Sequence, residues 1–185
     1  MALYNVLIIV DMQKDFIDGA LGTSEAIGIV DSVAARINAS GGELILFTQD
    51  THDENYLNTI EGKKLPVVHC VKDTPGWEIA PDVINAWRNN PNTIIAPNLS
   101  ENTFAKPVFG STALVEFLVQ NQKEINNIEI LGLCTDICVI SNAIMIKNAL
   151  PHTNIGVNAA CCAGITPQSH QEALNIMQMC QIDII

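Results

Sequence analysis

The 185 residues suit one compact domain, residues 1–185, because a single hydrophobic core is sustained at roughly 100 to 200 residues. With 48% apolar and 16% charged residues the chain falls outside the disordered class. Its net charge of −11 sets it against nucleic acids and anionic membrane surfaces, which would repel it.

The first strand-length apolar run covers residues 6–10 and ends at Asp11. It lacks a cationic flank, so it resembles neither a signal peptide nor a membrane span, and the chain reads as cytoplasmic. Helical periodicity follows over 24–38, and Gly41-Gly42 closes that helix before a second apolar run at 44–48. Further runs lie at 93–96, 128–131, 155–159 and 182–185, with helical periodicity over 112–122, 136–149 and 166–179. Thr166-Pro167 offers an N-cap followed by proline at the first helical position. This alternation predicts parallel βαβ crossovers, and near-continuous apolar strands predict a sheet covered on both faces. The reading is a three-layer, doubly wound α/β fold around a mostly parallel six-stranded sheet. Such sheets place their chemistry beyond the carboxyl ends of the strands, which directs attention to Asp11, Asp50, residues 133–138 and Cys161. Cysteines 70, 134, 138, 161, 162 and 180 lack the spacing of a secreted disulfide framework and read as free thiols.

Asp11 ends the first strand, where partial desolvation would raise its pKa toward a general-base value, although a loop or capping aspartate is commoner. Cys138 falls in the first turn of the helix predicted at 136–149. A helix N-terminus favours thiolate, and its free amides can hold an oxyanion; a cysteine packing as a small hydrophobe is the plainer alternative. Lys106 follows the predicted third strand and could lower the cysteine pKa and orient the carboxylate, yet alone it looks like a surface lysine.

A second constellation joins Asp50, His52, Glu61 and His69. Two histidines with carboxylates suit zinc, manganese or iron, and Asp-x-His puts two ligands on one side of an extended segment. Two loop histidines without a metal fit the composition equally well. Phe16 and Trp77 are aromatic candidates for a pocket wall, or core residues. His152 and His170 read as positions without chemistry.

Val10-Asp11-Met12-Gln13-Lys14-Asp15-Phe16, Phe104-Ala105-Lys106 and Gly132-Leu133-Cys134-Thr135-Asp136-Ile137-Cys138-Val139 together resemble the isochorismatase-like hydrolase superfamily, in its nicotinamidase-like branch. The resemblance spans nearly the whole chain. It implies a strand order of 3-2-1-4-5-6, a catalytic triad of Asp11, Lys106 and Cys138, and a homo-oligomer. It further implies a cis peptide before Cys134, with the amides of Cys134 and Cys138 forming the oxyanion hole. The metal ligands it implies are Asp50, His52 and His69, with Glu61 a fourth and Glu54 its competitor, around zinc or else manganese or iron. Phe16 resembles the family's ring-packing phenylalanine. The implied activity is a cysteine amidohydrolase that cleaves a small carboxamide through a Cys138 thioester, nicotinamide first and a ureido or carbamoyl amide second. A catalytically silent oligomer that binds a small molecule or metal is the alternative of a different class. Where many nicotinamidases carry a tryptophan before the metal histidine, this chain reads Leu65-Pro66-Val67-Val68-His69, which removes that aromatic clamp.

Overall fold

The apolar run Tyr4–Val10 forms β1, and its last five residues are buried because strands flank it on both sides and helices cover both faces. The structure, a computed structural model, describes residues 3–92, 94 and 102–185. After β1 come α1 (Lys14–Ile17), α2 (Ser24–Asn38), β2 (Leu44–Asp50), α3 (Ile60–Lys64), α4 (Pro81–Arg88) and β3 (Thr103–Lys106). The second half continues with α5 (Thr112–Gln120), β4 (Ile125–Leu133), α6 (Ile140–Ala149), β5 (Asn154–Ala163), α7 (Pro167–Met179) and β6 (Asp183–Ile184). The six strands pair in the order β3-β2-β1-β4-β5-β6, and each pairing is parallel, so the mostly parallel sheet of the sequence reading is parallel throughout.

Two helical layers enclose this sheet. The α2 helix buries Ala26, Ile29, Val33 and Ile37, a spacing of three and four that holds one apolar stripe inward, and it packs beside α4. Thr23 caps it by accepting a hydrogen bond from the Ala26 amide. The other layer consists of α5, α6 and α7 packed in sequence. Thr166 caps α7 through a reciprocal bond pair with Ser169, with Pro167 at the first helical position as the sequence predicts. Among the described residues no helix is long and apolar enough to cross a membrane.

Strand order reverses at β1, which opens a crevice beyond the carboxyl ends of β1 and β4. Four side chains of interest reach it from successive strand ends: Asp11 after β1, Asp50 at the end of β2, Lys106 at the end of β3, and the Cys134–Cys138 turn after β4.

Two elements differ from expectation. The run at 93–96 lies outside the described residues except Ile94, which is in no strand; the third strand forms at Thr103–Lys106 instead. Only Phe104 and Lys106 of that strand are buried, so a search for continuous apolar runs passes over it. The helix predicted at 136–149 begins with a π-helical turn, Thr135–Val139, before α6. In that turn the Cys134 carbonyl accepts from both Ile137 and Val139, at 3.1 and 3.0 Å.

Gly132 makes the close packing of β4 on β1 possible. Its φ of +120° is a conformation that side chains disfavour, and a Cβ there would run into the Val10 carbonyl oxygen. Gly132→Ala is therefore expected to destabilise the fold by about 2 kcal/mol or more, read as a lower thermal midpoint; an unchanged midpoint would contradict this account of the β1–β4 junction.

Candidate active site

The β3 strand turns Lys106 inward, where its side chain is 2% exposed and its Nζ meets three other groups. Asp11 Oδ2 lies 2.6 Å away, Cys138 Sγ 3.6 Å and Asp50 Oδ1 3.7 Å. The Asp11 backbone has a positive φ of 45°, and Thr48 fixes its carboxylate by donating to Oδ1 at 2.7 Å. Asp11 Oδ2 is buried and, beyond the ammonium, has no partner in hydrogen-bond geometry, so it remains open to accept a proton. The peptide bond between Leu133 and Cys134 is cis, as the resemblance implies.

Complete burial pushes the Asp11 carboxyl above its ordinary pKa, although Lys106 and Thr48 pull the other way. Burial works against the Lys106 ammonium, yet Asp11, Cys138 and Asp50 outweigh it and hold the group charged well above the usual lysine range. Cys138 differs from the sequence expectation. Burial raises its thiol well above free cysteine and the Asp11 carboxylate adds to this, with Lys106 only opposing.

A second cluster adjoins the first through Asp50. Its Oδ2 lies 3.0 Å from His52 Nε2 and 3.5 Å from His69 Nε2, while Oδ1 faces Lys106. Burial opposes the Asp50 charge, but His52, His69 and Lys106 hold the carboxyl well below the usual carboxylate range. The Val67 carbonyl sits 2.8 Å from His69 Nδ1; with the proton fixed there, Nε2 presents its lone pair to the cluster. His52 Nε2 is buried with no partner in hydrogen-bond geometry. A buried polar atom left this way is costly, and a cation shared with Asp50 and His69 would satisfy it. The ligand atoms of Asp50, His52 and His69 all lie within 4.8 Å of one another, so two imidazoles and one carboxylate fit a divalent ion. Glu61, in the first turn of α3, stands 3.9 Å from His52 Nε2 at the edge of this set, and Glu54 is exposed.

Beside His52 opens a cleft of about 680 Å³, lined by His52, Tyr56, Ile60, Glu61, Pro107, Val108, Phe109 and Ile137. Phe16 packs against His69, ring centroids 5.5 Å apart, and so backs the Asp50–His52–His69 cluster. Trp77 does not line this cleft. Its indole donates to Thr51 at 2.9 Å and its ring faces a separate cavity with Lys72 and Ile84, so a role as a wall of the substrate site is not supported by its position.

Two supporting residues escape the sequence reading. Tyr56, 1% exposed, packs on both His52 and His69 with centroids 4.6 and 4.9 Å away, and its hydroxyl donates to the Leu65 carbonyl. Gln13, fully buried, clamps the Asp50 backbone: its Nε2 donates to the Asp50 carbonyl at 2.8 Å and its Oε1 accepts from the Asp50 amide at 2.7 Å.

The chain is 26% identical to a nicotinamidase from Schizosaccharomyces pombe over all of this chain and 94% of that protein. It is similar to the crystal structure of a pyrazinamidase of Pyrococcus horikoshii in complex with zinc, at a TM-score of 0.74 and 26% identity over 98% of each chain. The fold also matches a nicotinamidase/pyrazinamidase from Bacillus subtilis, at a TM-score of 0.80 and 23% identity over 98% of this chain and 99% of that one. The isochorismatase domain model matches residues 5–185, and the chain belongs to the isochorismatase family.

Proposed function

We propose that this protein is a cysteine amidohydrolase that hydrolyses a small carboxamide, nicotinamide first among them, to the acid and ammonia. The observation that carries the reading is the buried Lys106 ammonium, held 2.6 Å from Asp11 Oδ2 and 3.6 Å from Cys138 Sγ. Those distances assemble a proton acceptor, a nucleophile and a fixed cation in one solvent-poor site. The similarity to a named nicotinamidase and to a zinc-containing pyrazinamidase supports the same chemistry.

In this mechanism Asp11 removes the thiol proton as Cys138 Sγ bonds to the amide carbon, and Lys106 stabilises the charge that develops between them. The amides of Cys134 and Cys138 receive the oxyanion. Asp11 then returns the proton to the departing nitrogen, the C–N bond breaks, and ammonia leaves a thioester on Cys138. Asp11 next takes a proton from water, whose oxygen bonds to the thioester carbon. The C–S bond breaks, the acid departs and the sulfur regains the proton. Asp50, His52 and His69 would hold the divalent ion, zinc or else manganese or iron, with Glu61 nearest as a further ligand; when bound, the ion supplies a Lewis acid that orients a substrate heteroatom. A ureido or carbamoyl amide is the second reading. It is favoured because neither Trp77 nor Trp87 lies over the histidines, so no indole clamps a pyridine ring there.

Purified protein is expected to release ammonia from nicotinamide, and Cys138→Ala to abolish release at an unchanged thermal midpoint; retained turnover in that variant would sink the mechanism. Calorimetric titration with zinc should give one site per chain in the wild type and a loss of at least about a hundredfold in affinity for His69→Ala. Equal affinity in the two proteins would remove His69 from the ligand set.

A further inference from the structure

The segment after Lys106 lines the cleft through Pro107, Val108 and Phe109, and the Cys138 turn lines it through Ile137. Val108 and Phe109 are half exposed, and the strand that precedes them ends at Lys106, so their own contacts do little to fix the wall. One side chain joins the two parts. Asn142 lies one turn after Cys138 on α6 and is fully buried. Its Nδ2 donates to the Cys138 carbonyl at 2.8 Å and to the Phe109 carbonyl at 3.2 Å, and its Oδ1 accepts from the Ser111 amide at 2.9 Å. An asparagine amide has two donor hydrogens and one acceptor oxygen, and here each has a partner. The loop is seated on the same helix at Gly110, where an added Cβ would meet the Met145 sulfur.

We propose that Asn142 is a positioning residue that locks the Pro107–Phe109 wall of the cleft to the turn carrying Cys138, and so sets where a bound amide lies relative to the sulfur. The bond to the Cys138 carbonyl alone would be an ordinary bond from a helix side chain to the preceding turn. The two bonds to Phe109 and Ser111 are not local; they span more than 30 positions of sequence and hold the backbone at and just beyond the cleft wall. A buried donor or acceptor stripped of its partner does not stay in place, and misplacement of reacting groups by about 1 Å lowers rates by about a hundredfold. The inference rests on the amidohydrolase reading of the site.

The test compares wild type, Asn142→Ala and Asn142→Asp; the aspartate keeps the acceptor for Ser111 but removes both donors. Each variant is expected to lose about tenfold or more in kcat/KM for the hydrolysed amide. Alkylation of Cys138 by iodoacetamide, followed by peptide mass, should become several-fold faster as the wall loosens. Opposite movement of turnover and labelling is the signature of lost positioning. If turnover per folded molecule and labelling both match wild type while only the thermal midpoint falls, Asn142 is structural and the proposal is overturned. Should neither variant fold, hydrogen exchange in the wild type decides: the Ser111 amide is expected to be protected by about a hundredfold or more, and exchange at the rate of a free loop would overturn the tether. Labelling and exchange need no substrate, so failure of nicotinamide as substrate leaves both informative.

Discussion

The buried charge of Lys106 is the constraint around which this site is organised. An ammonium removed from water is strongly unfavourable unless carboxylates and other acceptors surround it, and removing one partner leaves the remaining charge uncompensated. Asp11, Asp50 and Cys138 face it, each from a different strand end, so the sheet order β3-β2-β1-β4 is what brings the four groups together. Lys106 arrives on β3, the edge strand, through the register that pairs Asp50 with Lys106. A slip of one residue on that edge would turn the lysine to the opposite face of the sheet.

Asp50 makes the two clusters one system. One oxygen faces the histidines and the other faces Lys106, so the carboxylate that would bind a metal also stabilises the cation beside the nucleophile. Gln13 fixes the Asp50 backbone from the loop after β1, which also supplies Asp11. Residues 11–16 thus act together: Asp11 pairs with Lys106, Gln13 holds Asp50, Asp15 accepts from the Cys70 amide at 2.7 Å, and Phe16 packs on His69. The short motif is dense because each member supports a different wall of the same crevice.

Much of this arrangement was legible in the sequence. Apolar runs gave five of the six strands, four of them, β1, β2, β4 and β5, because they are largely buried in the sheet interior, and strand-end logic located Asp11 and Asp50 beside the crevice. The third strand was not legible, since Thr103–Lys106 carries too little apolar character for a periodicity search. Lys106 needed the family resemblance, because nothing local distinguishes a buried lysine from a surface one. For Cys138 two influences oppose each other: a helix start favours a lowered thiol pKa and burial raises it, and burial depends on tertiary packing that spacing does not report. Tyr56, Gln13 and Asn142 each act partly through contacts that are distant in sequence, to Leu65, Asp50 and Ser111, which single-sequence spacing does not report. Trp77 looked like a pocket wall only because it is aromatic; its indole is engaged with Thr51.

The central claim is that Asp11, Lys106 and Cys138 act as one acyl-transfer unit. The most direct measurement is rapid acid quenching of the wild-type enzyme during turnover of its amide, followed by peptide mass spectrometry. The account predicts the substrate's acyl group attached to the Cys138 peptide, lost on treatment with hydroxylamine, and absent from Lys106→Met, which removes the cation and retains the thiol. Turnover with no acyl group on Cys138, or an acyl group on another residue, would contradict it.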